Sequence, residues 1–187
     1  MKKALLFFTS ILIISCASNN TNKFVINGTV PSNKYDGEKV YLVPVINDNP
    51  SNVDSTIISN GKFTFEGDTE RVSIIRLRPI LRLKLQELLV ITEKGIITVK
   101  LDTNSIGSGT PQNKLMQQWK DAIMNSNLYF AKMQKAKTKG KKGTDLENAI
   151  NKANSAKEYA DSITLRIIHS DKKSTISKFI SSMTGKK

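Results

Sequence analysis

Cysteine, histidine and tryptophan each occur once in this chain of 187 residues, and aromatic residues make up only 6% of it. A lone cysteine excludes an internal disulfide; a lone histidine excludes a His-rich metal cluster and leaves no obvious general base at neutral pH. With 5 prolines and 10 glycines the chain is far from collagen-like or low-complexity compositions. Acidic side chains are scarce beside basic ones, 16 against 29, for a formal charge of +13. The apolar run from Ala4 to Ile14 is too short to span a bilayer comfortably. What is there suffices for a core: 39% of residues are hydrophobic, in a length that fits one domain or one and a half.

Met1-Lys2-Lys3 precede that run and the small residue Ser15 follows it. This is the layout of a secretory signal peptide over residues 1–15, which is removed and takes no part in the fold. Ile13-Ile14-Ser15-Cys16 also resembles the bacterial lipobox, in which cleavage after Ser15 makes the cysteine the first mature residue. The resemblance implies diacylglycerol and a further acyl chain such as palmitate on Cys16, and two or three such chains hold a protein durably on a membrane. A thiol so modified is closed to nucleophilic, redox and metal chemistry. Residues 16–22 then form a small, polar tether. It holds no acid, whereas surface-exported lipoproteins of Bacteroidetes tend to carry acids just after the cysteine. By that resemblance the expected place is the outer membrane, facing the periplasm.

Residues 23–109 read as strand and turn. Seven strands are expected: Phe24 to Val30, Lys39 to Val45, Ser55 to Ser59, Lys62 to Glu66, Val72 to Arg78, Leu81 or Leu85 to Ile91, and Ile96 to Leu101. Asn60-Gly61 predicts a type I′ hairpin turn, since both residues accept positive φ, and Glu93-Lys94-Gly95 predicts a second tight turn. The sheet is expected to be mainly an antiparallel meander. Over residues 110–187 the apolar period changes from about 2 to about 3.6. Thr110 and Pro111 open a helix carrying Leu115, Met116, Trp119, Ala122, Ile123, Tyr129, Phe130 and Met133 on one face. Thr144 and Glu147 form a capping-box pair before a second apolar stripe from Leu146 to Ile167, antiparallel to the first. A short third helix from about Asp171 shows Ile176, Phe179, Ile180 and Met183 at helical spacing.

Ile26-Asn27-Gly28-Thr29, Val40-Tyr41-Leu42, Asp54-Ser55, and Asn60 through Gly67 together resemble the domain of unknown function at the N-terminus of many thiol-disulfide interchange lipoproteins of Bacteroidetes. Glu93 to Ile97, Leu101-Asp102 and Ser108-Gly109-Thr110 extend the likeness. In that family the module usually precedes a thioredoxin-like domain with a Cys-x-x-Cys motif. This sequence has no such motif, so the relatives' oxidoreductase activity passes to none of its residues. Asp54-Ser55-Thr56 and Asp161-Ser162-Ile163 also resemble the short O-glycosylation motif of envelope proteins in the same group.

Without Lys2 and Lys3 the formal charge falls from +13 to +11. A secreted chain whose few aromatics are not interleaved with its basic runs is not expected to bind nucleic acid. Anionic partners in the envelope remain: lipid headgroups, glycans and acidic proteins. Between Arg76 and Leu85 a period of 2 would line Arg76, Arg78, Arg82 and Lys84 on one face of a strand, a candidate anion-binding ladder. The plainer reading is a solvated face or a charged, proline-guarded edge. A second basic cluster, Lys132 to Lys142, lies at the turn between the long helices. Asp54, Ser55 and His169 lack catalytic neighbours in sequence and read as structural.

The expectation is therefore an α+β chain: an antiparallel β-sandwich or curled sheet of about seven strands, then a helical hairpin and a short C-terminal helix. Its expected role is a lipid-anchored, non-catalytic binding or scaffold module without metal or cofactor. The alternatives are a lipoprotein that binds an anionic glycan, lipid or peptide, and an accessory to a separate thioredoxin-like protein.

Overall fold

The computed structural model describes residues 22–186. Ser15, Cys16, the signal peptide and nearly all of the tether lie outside them. Among the described residues eight strands form two four-stranded sheets. In chain order they are β1 (Phe24–Thr29), β2 (Lys39–Pro44), β3 (Asp54–Ile57), β4 (Lys62–Gly67), β5 (Val72–Leu77), β6 (Leu88–Ile91), β7 (Gly95–Lys100) and β8 (Ile106–Ser108). The first sheet runs β4-β1-β7-β8 and the second β3-β2-β5-β6. Period-2 alternation turns Phe24, Ile26, Phe63, Phe65, Ile97 and Val99 of the first sheet against Val40, Leu42, Ile75, Leu77, Leu88 and Val90 of the second, forming one shared core.

The expected meander is corrected by this topology. β1 and β7 run parallel, with Phe24 opposite Gly95 and Thr29 opposite Lys100. The Asn60-Gly61 turn forms as expected, with φ of 51° and 67° and reciprocal bonds between Ser59 and Lys62. Its flanking strands then part: β3 pairs with β2, and β4 with β1. The turn is a corner between two sheets. The Asp36 carboxylate holds it by accepting from Asn60 N at 3.0 Å and Gly61 N at 2.8 Å. Gly95, with φ 121°, makes a similar corner between β6 and β7. β8 was not expected, because three residues containing Gly107 carry no period.

The strand expected to start at Leu81 or Leu85 is also corrected. β5 ends at Leu77, Pro79–Arg82 forms one helical turn, α1, with Pro79 at its first position, and β6 starts only at Leu88.

The long helices are α2 (Pro111–Thr138) and α3 (Thr144–Ser170), followed by α4 (Thr175–Thr184). The Thr144–Glu147 capping box does not form; Gly143 occupies the cap position at φ 58°, and its carbonyl accepts from Leu146 N and Glu147 N. At α4, Ser174 caps Ser177 N, and left-handed Gly185 ends the helix. α2 packs along β6 and the neighbouring β8, α4 packs on β5, and α3 lies across α2 and α4, so the helices cover the outer face of the second sheet at its β6 edge. This explains why β6 is buried on both faces: Leu88 and Val90 point into the sandwich, while Ile91 joins Met116, Ala160, Ile163, Ile167, Ile176, Phe179 and Ile180 in a second core. Met183, expected on the apolar face of α4, is exposed.

Candidate docking surface

Polar anchoring fixes where α2 begins. Glu93 sits buried in the β6–β7 corner, and its Oε1 accepts from Gln112 N at 2.7 Å and Asn113 N at 3.1 Å, a carboxylate at the helix N-terminus. Gln117 accepts from Gly107 N at 3.0 Å. Further along, Lys120 reaches back to Asn104 Oδ1 at 2.9 Å, Gln86 Oε1 and the carbonyl of Ser105. Partial burial lowers the pKa of this ammonium, with Asp121 opposing the shift. The cleft around it, about 210 Å³ between β6 and α2, is lined by Gln86, Glu87, Trp119 and Lys120 among others. These side chains serve the junction between sheet and helix.

α4 is then locked from three sides. Ser177 Oγ donates to Ile167 O at 2.7 Å, Thr175 Oγ1 to Glu70 at 2.5 Å, and Lys186 Nζ to Asp161 at 2.5 Å. The Phe179 ring stands edge-on to Trp119, centroids 6.3 Å apart. So placed, α4 becomes a ridge with a groove on each side. One, about 330 Å³, lies against the second sheet and is lined by Val45, Ile46, Arg71, Val72, Phe179 and Lys178, with Thr175 and Ser182 completing it. Ile46 is 79% exposed there. The other, about 570 Å³, lies toward the end of α3 over Ile168 and carries Lys172, Lys178 and Lys186. Among the described residues neither groove is lined by an acidic side chain, although Asp54 and Asp161 pair with Arg71 and Lys186 from outside the linings. An apolar floor with a cationic rim suits an apolar segment bearing carboxylates.

The four residues of the candidate ladder are not brought together on one strand face. Arg76 Nε and Arg82 Nε each lie 2.8 Å from Glu87 Oε1, and Arg78 pairs with Glu38 at 2.5 Å. Arg82 also donates to Leu77 O at 3.1 Å, and Lys84 is exposed beyond α1. Intramolecular carboxylates thus occupy three of the four cations. Asp54 pairs with Arg71 at 3.3 Å, and Ser55 is exposed on edge strand β3. His169 is exposed near the end of α3. Among the described residues no cluster of three or more His, Cys, Asp or Glu is placed to hold a metal ion, and no helix is long and apolar enough to cross a membrane. The α4 grooves were not legible in sequence. Only the exposure of Ile46 beside an amphipathic helix marks them, and that needs the fold.

Residues 24–116 match the family model described as Domain of unknown function (DUF4369). No curated protein matches this chain, and no solved structure matches it. The matched span ends just past Asn113, so it takes in both sheets and the first turn and a half of α2 with its anchoring contacts.

Proposed function

From a chain that belongs to this family over its sandwich and the anchored start of α2, we propose a lipid-anchored envelope protein that works as a non-catalytic binding module. The lipobox-like Ile13-Ile14-Ser15-Cys16 supplies the anchor at the outer membrane, with acyl chains on Cys16. The docking surface is the pair of grooves beside α4, and its occupant is a segment of another envelope protein that carries apolar side chains flanked by carboxylates. The observation carrying this reading is the combination of an apolar floor, at Val45, Ile46 and Phe179, with a described lining whose charged members are all cationic: Lys172 and Lys178, together with Arg71 and Lys186, which also pair with Asp54 and Asp161. The reading of Arg76, Arg78, Arg82 and Lys84 as the site for an anionic ligand has less support, because Glu87 and Glu38 already face three of them.

Photo-crosslinking residues placed at Ile46 and at Ser182 in intact cells, with mapping of the captured peptide, test the proposal. One acidic, apolar segment should be captured from both positions, and Lys178→Glu should cut its yield about tenfold. Lipid capture at both positions, or capture indifferent to Lys178→Glu, would sink it. If the captured protein proves thioredoxin-like, the accessory role implied by the family resemblance follows.

A further inference from the structure

The lysine cluster at the helical turn has a definite place in the fold. α2 starts beside Ile91 at the end of β6, passes Gly107 at Gln117, and at Lys120 meets Gln86, just before the start of β6, and Asn104 in the β7–β8 loop. It therefore runs antiparallel to β6. Met124, whose Sδ lies 3.9 Å from Gln86 Nε2, makes the last of these contacts with the sandwich. The 14 residues that follow Met124, up to Thr138, carry the hairpin on by about 21 Å, at 1.5 Å per residue. In this arm α2 and α3 bury small side chains against each other, among them Ala136, Ala153 and Ala156. At its end stand Lys132, Lys135, Lys137, Lys139, Lys141 and Lys142 against Asp145 and Glu147.

The described N-terminus lies at the opposite end. Lys23 accepts through its carbonyl from Gly95 N, and Phe24 pairs with Gly95 in the corner that also holds Glu93 and the start of α2. A tether from Cys16 to Lys23 spans at most about 25 Å. The lysine tip thus lies at the opposite end of α2 from the corner where the described chain begins. The cluster contains no arginine, so it lacks the planar forks that bind one carboxylate or phosphate bidentately; ammonium groups on flexible stems suit a surface of repeated negative charge, and Lys141 already pairs with one carboxylate, Asp145, at 3.0 Å.

We infer that the arm is a spacer whose lysine tip holds a carboxylate-bearing cell-wall polymer on the side facing away from the anchoring bilayer. The inference rests on the Cys16 anchor of the proposed function and is independent of the α4 grooves. It makes the protein a bridge: acyl chains at one end, a polyanion contact at the other.

The test uses the full lipidated protein reconstituted into neutral phosphatidylcholine vesicles, mixed with insoluble peptidoglycan sacculi and pelleted at low speed. Incorporation into the vesicles reads the anchor separately, so its failure overturns the lipoprotein reading and not the tip. Wild type should bring vesicles down with sacculi in 50 mM salt and release them by 0.5 M. Changing Lys135, Lys137, Lys139, Lys141 and Lys142 to Gln should reduce pelleting at least tenfold, and changing the same five to Arg should preserve it. Circular dichroism should show unchanged helix in both. Pelleting by the Gln variant at the wild-type level would overturn the inference. So would wild-type clustering with vesicles containing 30% phosphatidylglycerol but no pelleting with sacculi.

Discussion

The side-chain amide of Asn113 acts as an extra strand residue for Ile91. Its Oδ1 accepts from Ile91 N at 3.0 Å, and its Nδ2 donates to Ile91 O at 2.7 Å. β6 is the edge of its sheet, and this pair satisfies the edge where α2 begins. A second donation, to Thr110 Oγ1 at 2.8 Å, fixes the amide's orientation. Asn113 is 1% exposed, so no water would replace a lost partner. Asn113→Leu leaves the Ile91 N–H and C=O buried and unpaired, at a cost of about 3 kcal/mol. Urea unfolding should show that loss. Hydrogen exchange should show it concentrated at Ile91 and the first turn of α2; a loss under 1 kcal/mol would mean the helix is held by packing alone.

Gly28 and Phe63 face each other across β1 and β4, and the outer carbons of the ring, Cζ and both Cε, crowd the space above the glycine. A Cβ at position 28 would sit 2.0 Å from the Phe63 ring, which is itself buried and edge-on to Phe65. The ring has nowhere to go. Gly28→Ala should cost about 3 kcal/mol through overpacking. Adding Phe63→Leu should recover part of that cost, so the two changes should be less damaging together than their sum. Thermal melts of the four proteins in the cycle provide the check; strict additivity would refute the contact.

Much of the sandwich was legible because its inward residues alternate, and Asn60-Gly61 named its turn by chemistry. What the turn joined was not legible. Whether β3 and β4 pair or part depends on Val40 and Ile26, each of which pairs with a strand distant in sequence, and on Asp36 reaching across 24 residues to hold the turn. The cationic ladder failed for a related reason. Alternation from Arg76 to Leu85 was real, but Pro79 at a first helical position ended the strand, and Glu87 drew Arg76 and Arg82 together. The docking surface was hidden more deeply, since Ile46, Arg71 and Lys178 meet only once α4 lies on the second sheet.

Asp161 ties the end of the chain to α3, its two oxygens 2.7 Å from Lys157 Nζ and 2.5 Å from Lys186 Nζ. The hydrogen bond from Lys157, then that from Lys186, lowers its pKa below the usual 3.8. A depressed carboxylate contributes fully above the unfolded value and loses its contribution as pH falls through the folded one. The clasp on Lys186 should therefore hold at pH 5 and loosen below 3.8. Asp161→Asn should be loose at both. NMR order parameters for residues 184–186 should show this, and equal mobility of wild type and variant at pH 5 would refute it.

Lys120 gives the opposite pH signature. Burial lowers its pKa below 10.5 even though its ammonium has three oxygen partners, none of them a carboxylate. Between the lowered folded value and 10.5 the unfolded chain binds more protons at this site than the folded one, so stability rises with pH across that window. Below it, the folded state carries the full burden of a partly buried charge. Lys120→Met removes the titration and also the donors that hold Asn104, Gln86 and the Ser105 carbonyl. The difference in unfolding free energy between wild type and variant should therefore shift in favour of wild type from pH 8 toward 10.5. At pH 7 the variant should release the β7–β8 loop, seen as faster amide exchange at Ser105, while Asn113 still holds the start of α2. A pH-independent difference would mean that Lys120 titrates as it does in the unfolded chain and that its role at the junction is hydrogen bonding alone.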